Sequence, residues 1–172
     1  MLKILHTSDW HLGHILFGHE RIDEQDHMLR QIADVVAHER PDVMLVCGDI
    51  FHVAMPSNAA LKMFTDRLLD ICDKAPSMEV FVTAGNHDSA SRLEADSSLW
   101  RGHKVSVVGV PTLEVGKMVT VVAGKCVVAS VPYFSVRQCG VKDMFDRVSE
   151  EVRQVNKSGL PVIFMAHAAI VG

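Results

Sequence analysis

The chain has 172 residues, 48% of them hydrophobic, enough for one domain with a substantial core. Its net charge of -4 argues against holding nucleic acid by bulk electrostatics alone. No apolar run is long enough to cross a bilayer, Met1–His6 lacks the features of a signal peptide, and the four cysteines show no C-x-x-C spacing, so a soluble cytoplasmic protein with reduced thiols is expected, not one bound to a membrane.

Apolar runs that read as buried strands alternate with helical patterns, the signature of an α/β domain with a largely parallel sheet. Strands are expected over Leu2 to Thr7, Val43 to Cys47 and Val80 to Ala84. Between them Met28, Leu29, Ile32, Val35 and Val36 form one apolar stripe at helical spacing, ending before Pro41. Leu61, Phe64, Leu68 and Ile71 form another, with Ser57 as its N-cap. Past a short segment around Leu93 to Trp100 the sequence turns strand-rich, over Val105 to Val110, Met118 to Val122 and Cys126 to Val131. Turns at Gly116-Lys117 and Gly124-Lys125 suggest a second, more antiparallel layer. Val141, Met144, Phe145, Val148, Val152 and Val155 mark a helix stopped by Ser158-Gly159, and Val162 to Ala166 reads as another buried strand.

Chemistry gathers at the ends of the first three strands: Ser8-Asp9-Trp10-His11, Gly48-Asp49-Ile50-Phe51-His52 and Gly85-Asn86-His87-Asp88. In an open α/β sheet ligands bind outside the carboxyl ends of the strands. An extended chain through Asp9 and His11 points both the same way, with Trp10 on the opposite face. Gly48 allows a tight turn beside Asp49, whose two oxygens can bridge two cations. Bound divalent cations would also supply the positive charge that an anionic substrate needs. Asn86 offers a carboxamide oxygen, His87 an imidazole that can ligate or donate a proton, and Asp88 a carboxylate able to orient its neighbours. Each string is weak alone; their order at successive strand ends points to a two-metal phosphoesterase site.

On these residues the chain resembles the calcineurin-like metallophosphoesterases, whose pattern runs D-x-H, G-D, G-N-H-[DE], a separate histidine and G-H-x-H. Leu5-His6-Thr7-Ser8-Asp9-Trp10-His11-Leu12-Gly13 and the Gly48 to His52 string are similar, more narrowly, to the SbcD-type nuclease subunits. The resemblance implies a layered β-sandwich flanked by helices, with residues 1–172 as the N-terminal portion of a nuclease domain. It also implies that Asp9 and His11 hold one divalent cation, Asn86 and His167 a second, and that Asp49 bridges them. Manganese is the implied metal, with magnesium the alternative. His87 would act as general acid on the scissile phosphate or leaving group, and His52 would be a second active-site histidine. The implied activity is exonuclease and endonuclease cleavage of broken or hairpin DNA ends in repair, recombination and replication, with an SbcC-like ATPase as partner.

The sequence departs from the pattern in having no G-H-x-H string, so two expected histidine ligands are absent and low activity is expected of the chain as given. A phosphoesterase for small molecules or phosphoproteins, and a non-catalytic interaction module, are the alternatives. The first is disfavoured because His52-Val53-Ala54 and Asp88 stand where protein phosphatases carry D-R-G and the glutamate of G-N-H-E. The resemblance further implies a homodimer, whose contact would involve Val53-Ala54-Met55 and the helix of Leu61, Phe64 and Leu68. His6, His14, His19, His27, His38 and His103 read as rim or solvated histidines, and Arg92, Arg101, Lys104 and Arg137 as an ordinary charged surface.

Overall fold

The computed structural model describes residues 1–134 and 143–168. The expectations placed on Arg137, Cys139 and Val141 lie outside those residues. β1 (Ile4–Thr7), β4 (Val43–Cys47), β5 (Glu79–Thr83) and β6 (Val105–Val108) form a parallel sheet in the order β1-β4-β5-β6. A second sheet holds β7 (Val119–Val122), β8 (Cys126–Val131) and β9 (Val162–Ala166), with β7 antiparallel and β9 parallel to β8. β2 (Ile15–Leu16) and β3 (His19–Glu20) make a small hairpin of their own.

Strand alternation explains why β4 is buried along its whole length. Met44 and Val46 face a core shared with the helices, whereas Val43, Leu45 and Cys47 face a second core with Val122, Cys126, Val128 and Met165. β8 repeats the device: Cys126 and Val128 point between the sheets, and Val127, Ala129 and Val131 point to a third core. The two sheets therefore pack face to face, and helices cover both outer faces. Leu29 and Val36 of α1 (Ile22–Glu39) and Phe64, Leu68 and Ile71 of α2 (Asn58–Lys74) close the first sheet. α3 (Ala90–Ala95) and α4 (Ser97–Trp100) add Leu93 and Trp100 to that core. Met144, Val148 and Val152 of α5 (Met144–Val155) close the second. This is the expected layered α/β sandwich flanked by helices.

Local signals act where the sequence places them. Ser57 Oγ accepts the Ala60 N–H at 3.2 Å to start α2, and α1 stops at left-handed Arg40, just before Pro41. Cys47, Cys72 and Cys126 are free and buried. Burial pushes the Cys47 and Cys72 thiols up to about 11, so they are unreactive packing residues. No helix among the described residues is long and apolar enough to cross a membrane.

Two expectations are corrected, and one segment folds where no element was expected. Val105–Val108 joins the first sheet in parallel with β5 rather than the second layer, because the chain from α3 and α4 returns it to that edge. β1 and β9 are not buried throughout: each ends its sheet, and Ile4, Val162 and Phe164 are exposed. The stretch after Gly13 folds into the β2–β3 hairpin around Phe17-Gly18, where both residues have positive φ.

Candidate metal centre

Asp9, His11 and Asp49 lie past the ends of β1 and β4, and all three have left-handed backbones, with φ of 56°, 45° and 51°. The strand thus does not stay extended through Asp9 and His11, contrary to expectation; their side chains meet because the loop turns. Trp10 does point the other way, into the core at 3% exposed, with its indole N–H donating to Thr7 Oγ1 at 2.9 Å. Main-chain bonds lock the two loops together: Asp9 N–H donates to Gly48 O, His11 N–H to Asp49 O and Leu12 N–H to Ile50 O, at 2.9 to 3.1 Å.

Asp49 is the buried centre, 4% exposed. Its Oδ1 accepts the His87 N–H at 2.9 Å. Its Oδ2 lies 3.7 Å from His11 Nε2 and 3.6 Å from His167 Nε2, too far for hydrogen bonds. His11 Nε2 is also 3.8 Å from Asp9 Oδ1, and His167 Nε2 is 3.2 Å from Asn86 Oδ1. Each imidazole therefore faces Asp49 and one further oxygen donor.

Close packing leaves room for only glycine beside these donors. A Cβ at Gly48, where φ is 78°, would run into the His167 ring, and one at Gly85 would collide with the Asp49 carboxylate and backbone. Asp88 braces the third loop, as expected of an orienting carboxylate: Oδ1 accepts Phe51 N–H at 2.8 Å, and Oδ2 accepts Gly85 N–H at 2.8 Å and Ile50 N–H at 3.1 Å.

His87 Nδ1 lies 2.8 Å from His52 O. A carbonyl can only accept, so Nδ1 carries the proton and Nε2 is the atom free to take up and release one. The His52 and His87 rings stack at 5.6 Å, and the His11 ring stands edge-on to His87 at 4.9 Å. Burial first, then the neighbouring His14, His11 and His87, push the His52 imidazole below its ordinary value.

All seven expected site residues, Asp9, His11, Asp49, His52, Asn86, His87 and His167, meet at this one rim. Among the described residues, two groups of potential metal donors lie with their ligand atoms within 4.8 Å of one another: Asp9, Asp49 and His167, and His11, His52 and His87. Carboxylate, carboxamide and imidazole donors around a buried carboxylate, one of whose oxygens takes no hydrogen bond from the described residues, fit divalent cations. The fold also opens a cleft of about 440 Å³ there, with Asp9, Asn86, Tyr133 and His167 among its walls.

Three residues at the rim escape the sequence patterns. Gln25 on α1, 8% exposed, donates to His11 O at 2.7 Å and accepts Gly13 N–H at 3.0 Å, clasping the first loop from behind. A signal for it exists, because Gln25 occupies the helical stripe of Leu29 and Val36. His14 is not simply solvated: its ring centroid lies 4.2 Å from that of His52. Tyr133 donates its N–H to Ala84 O at 2.8 Å and sets its ring 6.5 Å from that of His167, linking the two sheets beside the site. His6 stands on the cleft wall, while His19, His27, His38 and His103 lie away from the site, and all four are exposed. Arg92, Arg101 and Lys104 are also exposed.

The sequence is similar to known nuclease subunits. The SbcD subunit of the SbcCD nuclease from Bacillus subtilis (strain 168) is 36% identical over 113 residues, 66% of this chain and 29% of the relative. The subunit of the same name from Rhodobacter capsulatus is 36% identical over 108 residues, 63% of this chain and 27% of the relative. That of Staphylococcus saprophyticus is 34% identical over 96 residues, 56% of this chain and 25% of the relative. The matched stretch thus spans less than a third of these relatives' length. The family profile of the calcineurin-like phosphoesterases matches residues 2–171, nearly the whole sequence, and the chain belongs to that family.

Proposed function

We propose that the chain provides the metal-binding core of a divalent-cation-dependent phosphodiesterase that cleaves DNA. Asp9 and His11 hold one cation, Asn86 and His167 a second, and Asp49 is shared. The observation that carries this reading is the position of Asp49 Oδ2, 3.7 Å from His11 Nε2 and 3.6 Å from His167 Nε2. When bound, such cations lower the pKa of a water and offset charge on a phosphate. The mixed oxygen and nitrogen donor set suits manganese, with magnesium as the alternative.

His87 is the proposed proton donor. With Nδ1 engaged by His52 O, its Nε2 can protonate a leaving sugar oxygen, which is a poor leaving group without a proton. His52 supports it: its carbonyl fixes the His87 ring, and its own imidazole stacks on that ring. Similarity to SbcCD nuclease subunits supports a nucleic-acid substrate, taken here as DNA, and an SbcC-like partner; an ATPase activity for that partner, double-strand-break repair, hairpin cleavage and a homodimer complete the proposal as what the family resemblance implies. The absence of a G-H-x-H string leaves the donor set two imidazoles short of the family pattern, so slow turnover by the 172-residue chain is part of the proposal.

Metal content after incubation with manganese, measured by mass spectrometry, tests the reading together with cleavage of labelled linear duplex and of para-nitrophenyl phosphate. Near-stoichiometric manganese and a preference for duplex are expected. Manganese bound with only the small ester cleaved would replace the nuclease by a phosphomonoesterase. No bound manganese would leave an interaction module.

A further inference from the structure

Asp9, Asp49 and His167 combine two carboxylates with one imidazole, but the neighbouring donor group, His11, His52 and His87, has no carboxylate at all. Its ligand atoms lie within 4.8 Å of one another, and its ring centroids are 4.9 to 5.6 Å apart. His11 Nδ1 and His52 Nδ1 are buried with no hydrogen-bond partner among the described residues. A buried polar atom left unsatisfied is costly, so two of them on rings whose centroids lie 5.6 Å apart point to something that binds there. His87 Nδ1 is already engaged by His52 O, which leaves Nε2 as its ligating atom.

We propose that His11, His52 and His87 form an imidazole-only cation site that takes zinc or a metal of similar softness. Neutral imidazoles select zinc, copper and nickel, whereas carboxylate-rich sets suit manganese and magnesium. Three protein ligands with an open fourth position is an established zinc arrangement. His11 Nε2 also faces Asp9 at 3.8 Å and Asp49 at 3.7 Å, and a neutral imidazole ligates one cation, so a zinc ion at the imidazoles withdraws it from those carboxylates. The same ion occupies Nε2 of His87 and makes zinc an inhibitor; this last clause rests on the phosphodiesterase reading above, whereas the binding site does not.

The test is titration calorimetry of the full 172-residue chain and its variants with zinc and, separately, with manganese. The double variant Asp9→Asn, Asp49→Asn should keep zinc affinity within about threefold and lose manganese binding, whereas His52→Gln and His87→Gln should each weaken zinc by at least about tenfold. Zinc lost in the aspartate variant but unchanged in the histidine variants would overturn the proposal, as would no zinc binding to the unmodified chain. Zinc-edge X-ray absorption of the unmodified chain needs no variant to fold: three imidazole ligands are expected, and an oxygen-dominated shell would overturn the site. Failure of manganese to bind the unmodified chain would count against the phosphodiesterase reading alone.

Discussion

The two sheets bring side chains to the same rim by different means. β4 ends in a loop continuous with a strand buried along its whole length, β5 is nearly as buried, and the loops after β1, β4 and β5 are stitched by main-chain bonds and by Asp88. The second sheet offers His167 from the end of an edge strand whose Val162 and Phe164 are exposed, held mainly by its ring contacts to Cys47 O and Asn86. The first sheet builds a rigid frame, and the second closes it with one imidazole. Substitutions in the frame should therefore cost more than substitutions at the closing residue.

The largest effect is expected at Asp49, the donor proposed to be shared. Asp49→Asn should weaken manganese binding by about 1,000-fold, one decade beyond the loss typical of an outer hydrogen-bond partner, as read by calorimetry. Asp88→Ala strips acceptors from three backbone N–H groups and should lower stability by about 3 kcal/mol in urea unfolding. Equal effects of Asp88→Ala and an exposed control such as Asp34→Ala would dissolve the contrast between frame and surface. Gln25→Ala should cost about 2 kcal/mol through the unpaired His11 carbonyl and Gly13 N–H, with a parallel fall in manganese affinity. His167→Ala should weaken manganese by only about tenfold and lower stability by only about 1 kcal/mol. A loss at His167 as large as that at Asp49 would show that both sheets contribute equally.

The smallest effect concerns acid. The Arg67 hydrogen bond, then Arg30, hold the Asp26 carboxyl below its ordinary value. A depressed folded-state value means stability that is present above the ordinary carboxylate range and lost as pH falls through the folded-state value. Asp26→Asn should flatten the acid limb of the stability profile slightly, and an unchanged limb would assign acid sensitivity elsewhere.

Much of this is legible in the sequence, and the reason is burial. Val43 to Cys47 and Val80 to Val82 are apolar on both faces because each strand lies between helices and a second sheet, so they stand out as continuous runs. The site strings follow those runs directly, and Ser57 and Pro41 mark helix limits by local chemistry. The placement of Val105–Val108 is not legible, because pairing partners are set by the path of α3 and α4 rather than by the strand's own residues. Nor is the hairpin after Gly13, whose two-residue strands are too short for alternation to register. Gln25 escapes notice because a polar residue in a helical stripe reads as a break in the pattern, although here its carboxamide substitutes for main-chain partners.

The left-handed backbones at Asp9, His11 and Asp49 have a consequence for how the rim can be altered. Aspartate, asparagine and histidine tolerate this conformation better than most side chains, and glycine adopts it freely. Asparagine replacements there change charge while leaving the backbone nearly at ease, so they report on ligation, whereas alanine replacements mix ligation with conformational strain. Asp9→Gly should make the polypeptide harder to melt even as it abolishes cation capture. Durability and reactivity would then pull in opposite directions at a single residue.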